Sequence, residues 1–176
     1  MGRLRSIDPE QAEGRVREIF EGPLKGKAFN IFKAMANSPA VLDMYLGVAG
    51  ALGKASLSDA EREVIQLAIA QANECAYCLG AHTQIAKGAG LSEEQTVQAR
   101  RAQMDDPRLH AIATFARAIH DKRGWVDDED VQRFREAGFD DGHIAEVVAT
   151  YAMAMFTNYF NHVNQTEPDF PPAPEI

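Results

Sequence analysis

The chain has 176 residues, 45% apolar and 25% charged, with a formal net charge of −8. That size and balance fit one packed domain with a sizeable core, and they exclude a disordered tail, a collagen-like repeat or a coiled-coil rod. Lys and Arg are scattered over an acidic background, which repels phosphate backbones and argues against nucleic-acid binding.

No apolar run is long enough to span a bilayer, and the polar stretch from Met1 to Glu10 has no signal-peptide core. Gly2 and Ser6 fit a myristoylation pattern, but no basic cluster reinforces it. The expectation is a cytoplasmic protein with no membrane partner. Neither GxGxxG nor GxxxxGK[ST] is present to cradle a phosphate.

Taken in chain order, the punctuation is helical. Asp8-Pro9 reads as an N-cap followed by Pro, opening a helix through about Phe20 that Gly22 and Pro23 stop. A short apolar segment spans Phe29 to Met35, and Ser38-Pro39 opens a helix to about Leu52. Ser58 with Glu61 forms a capping box for a helix to about Ala72. The next helix runs from about Glu74, with Asn73 as N-cap, to Lys87, and Gly88 and Gly90 end it. Ser92 with Gln95 is a second capping box. Pro107 opens a helix to about Lys122, Asp127 caps a short one ending at Gly138, and Asp140 caps a long one to about Val163. From Glu167 the tail holds four of the eight prolines and reads as an extended arm over residues 167–176. No alternating strand pattern of useful length occurs. The expected fold is all-α: one domain over residues 1–176, with about eight helices and short connections.

A faint internal repeat runs through this pattern. Glu63-Val-Ile-Gln-Leu is followed twelve residues after its Glu by Cys75-Ala-Tyr-Cys78. Glu146-Val-Val-Ala-Thr is followed at the same interval by Asn158-Tyr-Phe-Asn161. The expectation is a pair of related helical hairpins, the second with Asn in place of Cys.

The chemistry gathers at the first copy. Cys75 and Cys78 are the only cysteines, and a bridge three residues long closes too little chain to act as a staple. In a reducing compartment such a pair is more often catalytic or metal-binding. Cys75, Cys78 and His82 are spaced three, four and seven apart, so one helical face carries all three. A helix start stabilises a thiolate, which is the form that attacks peroxides and disulfides. His82 can take the proton. Glu63 lies on a helix that is apolar nearly all round, where a carboxylate needs a partner. If the two helices pack as a hairpin, that partner is His82 or a water beside Cys78. Two rival readings stand: a pair of ordinary buried cysteines, or zinc held by C-x2-C-x3-H, which supplies only three of the four ligands structural zinc takes. Tyr77, Asn161 and His162 are candidate pocket residues, with packing as the alternative. Trp125 is a possible pocket wall.

Glu63, Cys75-Ala-Tyr-Cys78 and His82 resemble the AhpD-like alkylhydroperoxidases of the carboxymuconolactone decarboxylase superfamily. The flanking Asn30-Ile-Phe-Lys-Ala-Met-Ala-Asn-Ser-Pro39, Leu57-Ser-Asp-Ala-Glu-Arg-Glu63 and Gly90-Leu-Ser extend the likeness. Asn158-Tyr-Phe-Asn161-His162 and Thr166-Glu-Pro-Asp-Phe-Pro171 are similar to its peroxidase-related subgroup. The resemblance implies an AhpD-like helical bundle assembled as a trimer or hexamer. It also implies a thiol peroxidase with no metal, haem or other cofactor.

In that scheme the positions of Glu63 and His82 deprotonate Cys78. Cys78 reduces the hydroperoxide and becomes a sulfenic acid, and Cys75 condenses with it. A dithiol or lipoylated carrier then reduces the resulting disulfide. Tyr77 stands where some peroxidases carry His, which puts the proton relay in question. By residue chemistry alone, nearness to His82 favours Cys78 as the peroxidatic sulfur, while the helix dipole and exposure favour Cys75 as the one that meets outside thiols. Two other classes compete: a decarboxylase of lactone acids, which has no need of the cysteine pair, and a redox-sensing or disulfide-exchange oligomeric module.

Overall fold

The computed structural model describes residues 2–176, and every regular element among them is helical. A 3-10 turn, Pro9–Gln11, precedes nine α-helices. They are α1 (Gly14–Glu21), α2 (Asn30–Met35), α3 (Pro39–Leu52), α4 (Asp59–Ala72) and α5 (Ala76–Gly88), followed by α6 (Glu93–Arg101), α7 (Pro107–Asp121), α8 (Asp128–Glu136) and α9 (Asp141–Asn164).

The capping signals place most of these starts. Ser58, Ser92, Asp127 and Asp140 each accept an N–H from the third residue of their helix, and that third side chain bonds back to the cap. The N-terminus departs from expectation. Asp8 and Pro9 start only the 3-10 turn, the chain extends through Ala12 and Glu13, and Gly14 at φ +54 opens α1. A left-handed Gly interrupts a right-handed helix, and the break lets Ala12 turn into the core.

α4 is the central element. Its residues from Val64 to Ala70 are all buried, and it packs against α5, α6, α7 and α9. A helix apolar around nearly its whole circumference has to be surrounded in this way. Each fully buried Ile, Leu or Val contributes about 1.5–3 kcal/mol, so α4 is the main anchor of the fold. Two apolar clusters meet at it. One joins Ile65, Leu67 and Ile69 to Ile112, Phe115, Phe134 and Val147. The other joins Ala70 to Ile19, Phe32, Met35, Leu42, Tyr77 and both cysteines.

The second copy of the repeat is not a hairpin. Glu146, Asn158 and Asn161 all lie on the unbroken α9, because no turn signal interrupts it where Asn73 and Glu74 interrupt the first copy. The Glu146 carboxylate does not mirror Glu63 either; it accepts the backbone N–H groups of Ser56 and Leu57 at 2.8 and 2.9 Å, ahead of α4.

The proline-rich tail lies against the bundle. Phe170 packs on Phe29 with ring centroids 4.8 Å apart, and Arg100 donates to the carbonyl of Pro174. A Cβ on Gly80 would come within 2.8 Å of the Pro171 carbonyl oxygen, so α5 needs glycine there to receive the tail.

Candidate active site

The turn between α4 and α5 sets the position of both sulfurs. α4 ends in a Schellman arrangement: Glu74 N–H reaches Gln71 O at 3.1 Å, and Cys75 N–H reaches Ala70 O at 2.9 Å. Asn73 is therefore the C-cap of α4, not the N-cap of α5. Glu74 holds the left-handed position at φ +55, a place Gly usually takes. The chain leaves this turn with Cys75 itself as the N-cap of α5. Its Sγ accepts the backbone N–H of Cys78 at 3.4 Å, as a serine cap would. Negative charge on that sulfur faces the positive end of the helix.

Cys75 and Cys78 form a disulfide with their Cα atoms 5.3 Å apart. The expected contrast in exposure is absent, since Cys75 is 1% and Cys78 2% exposed. The α4–Schellman–α5 turn packs both against the second core cluster.

Glu63 and His82 meet as the hairpin predicts. His82 Nδ1 lies 2.7 Å from Glu63 Oε2, with both side chains more than four-fifths buried. An ionised carboxylate only accepts, so the contact requires Nδ1–H; a neutral ring then carries its lone pair on Nε2. His82 and Cys78 line one cavity of about 340 Å³. Its other walls are mainly apolar, from Phe29, Ile31 and Phe32 around α2, Tyr45 on α3, Ala81 and Ile85 on α5, and Phe170 on the tail. Burial raises the Tyr45 phenol above its ordinary pKa, and the Glu63 charge adds to this, so Tyr45 keeps its proton.

Tyr77 takes no part in the contact between Glu63 and His82. Its hydroxyl donates to Asp169 Oδ2 at 2.6 Å. Burial, and then Asp169, push its pKa far above the ordinary phenol value. The same Asp169 oxygen accepts the N–H of Asn30 at 2.8 Å and so caps α2 from the tail. Tyr77 therefore ties three segments of the cavity wall together.

Asn161 joins the site from α9. It is buried, and its Nδ2 donates to Cys78 Sγ at 3.4 Å. The adjoining His162 is exposed on the other side of the disulfide, and Trp125 is 87% exposed and lines neither region. Cys75 does not share the face of Cys78 and His82; it lines a separate open basin with Glu74, Ala76 and His162. A capping residue precedes the helical register, so the three-residue spacing does not carry it to the same side.

Tyr45, Asp169 and Phe170 are site residues that motif reading misses. The Thr166–Pro171 segment marked a family likeness, but nothing in its spacing indicates contact with Tyr77. Among the described residues, no three His, Cys, Asp or Glu side chains group to hold a metal ion.

The carboxymuconolactone decarboxylase family model matches residues 39–122, which contain α3 to α7 and every group between Tyr45 and His82. No curated protein matches the chain. An uncharacterised peroxidase-related protein of Ralstonia eutropha with an alkylhydroperoxidase AhpD core superposes with a TM-score of 0.85 at 23% identity, covering 96% of this chain and 92% of that one. A peroxidase-related protein of Silicibacter sp. gives a TM-score of 0.80 at 22% identity, covering 96% and 95%. A variant of the debrominase Bmp8, in complex with 2,3,4-tribromopyrrole, gives 0.78 at 17% identity, covering 95% and 91%. The family model thus matches just under half of the chain, and the shared fold extends the likeness over nearly all of it.

Proposed function

We propose that the chain is a thiol-dependent peroxidase that reduces hydroperoxides through a Cys75–Cys78 dithiol–disulfide cycle. The observation that carries this reading is one cavity presenting Cys78 beside a His82 that is held by Glu63 at 2.7 Å. A base oriented by a carboxylate, next to a thiol, is the arrangement that generates a nucleophile.

In the reduced state, His82 Nε2 takes the proton of Cys78, and Glu63 stabilises the imidazolium. The Cys78 thiolate attacks the outer oxygen of the hydroperoxide. The O–O bond breaks, and the departing alkoxide takes the proton from His82 and leaves as an alcohol. Cys78 is now a sulfenic acid. Cys75 attacks that sulfur, the S–O bond breaks, and hydroxide leaves as water with the proton from Cys75. The disulfide that results is the state of the structure. A dithiol supplies the two electrons that reset it. Such a cycle needs a reducing compartment, and we assign the cytoplasm. The protein needs no resident cofactor for these steps.

Self-association into a trimer or hexamer is part of the proposal. Met44 and Val48 on α3, with Val148, Tyr159 and Val163 on α9, leave apolar side chains exposed on two helices that pack together.

Steady-state consumption of cumene hydroperoxide with excess dithiothreitol tests the reading. Many turnovers per chain are expected, with loss of turnover in both Cys75→Ser and Cys78→Ser. A single turnover would instead indicate a redox sensor, and release of carbon dioxide from a muconolactone acid would indicate a decarboxylase. The aromatic lining of the cavity also favours a second reading, reductive removal of halogen from a halogenated pyrrole by the same two sulfurs. Halide release from tribromopyrrole with dithiothreitol, without peroxide turnover, would select it.

A further inference from the structure

The two sulfurs of the disulfide open on opposite sides. Cys78 lines the cavity and not the basin; Cys75 lines the basin and not the cavity. Tyr77 and Asn161 alone line both, and they form the partition. The basin has a volume of about 340 Å³ and is more open to solvent than the cavity. Around Cys75 it presents Glu74, Ala76, His162, Gln165 and Thr166. Asn161 in the partition is 4% exposed, and its Oδ1 is buried without a partner.

We propose that this basin is a separate docking site for the reductant, a small uncharged dithiol that attacks Cys75 while the cavity is reserved for the oxidant. The proposal rests on the dithiol–disulfide cycle above. Attack on a disulfide runs in line with the S–S bond, so access decides which sulfur is struck. From the basin that sulfur is Cys75. The first reductant thiol passes its proton to His162 and bonds to Cys75. The S–S bond breaks, and Cys78 leaves as a thiolate that Asn161 Nδ2–H already faces. His162 releases its proton to solvent on the basin side, and the Cys78 thiolate takes one from water on the cavity side. The second reductant thiol then attacks its partner sulfur in the mixed disulfide and expels Cys75, which takes the second proton. The products are a cyclic disulfide and the reduced pair. The Glu74 carboxylate at the rim repels anionic thiols, which selects an uncharged dithiol.

The test measures the two half-reactions separately in two variants. Ala76 is exposed and lines only the basin, and Ile85 is exposed and lines only the cavity. Protein oxidised with diamide is reduced by dithiothreitol, and reduced protein is oxidised by cumene hydroperoxide, both followed in a stopped-flow instrument. Ala76→Trp should slow reduction at least about tenfold and leave oxidation within about twofold; Ile85→Trp should do the reverse. The half-reaction each variant retains reports that it is folded. Reduction unchanged in Ala76→Trp, loss of both halves in that variant, or reduction slowed equally in Ile85→Trp would overturn the proposal. Because diamide prepares the disulfide, the reductive half decides the basin even if wild type ignores hydroperoxides, an outcome that would sink only the peroxidase reading.

Discussion

Replacing Asp169 with alanine should loosen the whole cavity wall. One carboxylate oxygen accepts the Tyr77 hydroxyl at 2.6 Å and the Asn30 N–H at 2.8 Å. The second bond stands in for the N-cap of α2, because Phe29 at that position offers no side-chain acceptor. Loss of a cap costs about 1 kcal/mol. Loss of the phenol bond costs about another 1 kcal/mol, the ordinary value for a hydrogen bond and below that for a buried charged acceptor, because Asp169 is exposed. The sum of about 2 kcal/mol corresponds to a fall in Tm of about 4–8 °C for a chain of this length.

Circular dichroism at 222 nm during heating reads this directly. Tyr77→Phe removes only the phenol bond and should lose about half as much. Since both substitutions break the same bond, the double variant should be no less stable than Asp169→Ala alone. A Tm within about 1 °C of wild type for Asp169→Ala, or fully additive losses in the double variant, would refute the role assigned to this carboxylate.

Three other outcomes are expected. Glu63→Gln should still form the disulfide, but oxidation by hydroperoxide should slow by about 10–100-fold because the imidazolium loses its charged partner; stopped-flow rates equal to wild type would remove Glu63 from the mechanism. Asn161→Asp puts a carboxylate where an amide N–H now meets Cys78 Sγ, which should raise the thiol pKa and shift its iodoacetamide alkylation profile to higher pH. Burial pushes the Glu61 carboxyl up, but the Ser58 N–H and hydroxyl and the Arg108 guanidinium outweigh it and hold its pKa below the usual 4.5. A depressed carboxyl stabilises the fold fully above its unfolded-state pKa, and that stability is lost as pH falls through the lower native value. Urea unfolding should therefore show a smaller loss of stability below about pH 4.5 for Glu61→Gln than for wild type.

Much of the site could be read from the chain because its signals are local. The run from Val64 to Ala70 is apolar except for Gln66, so the burial of α4 follows from composition. Glu63 is a carboxylate directly ahead of that run, and the four-residue step from Cys78 to His82 puts both on one helical face. The helix starts at Ser58 and Ser92 rest on side chains three residues apart. What escaped depends on distant partners or unusual backbone. Asp169 caps α2 across 139 residues of chain, and no spacing rule reaches that far. Glu74 takes the left-handed position that Gly or Asn normally signals, so α5 begins at Ala76, two residues after the start its capping pattern suggests. That shift moved Cys75 from the helical face to the cap, which separates the two sulfurs onto different openings. The second repeat copy failed as a hairpin for the converse reason: α9 has no residue that would break it.

The central claim is tested most directly by adding one equivalent of cumene hydroperoxide to fully reduced protein and reading the product by intact mass. Wild type should lose two hydrogens as the disulfide forms, Cys75→Ser should gain one oxygen at Cys78, and Cys78→Ser should stay unoxidised over the same interval. A stable oxygen adduct on Cys75, or thiols left reduced in wild type, would contradict a cycle that begins at Cys78.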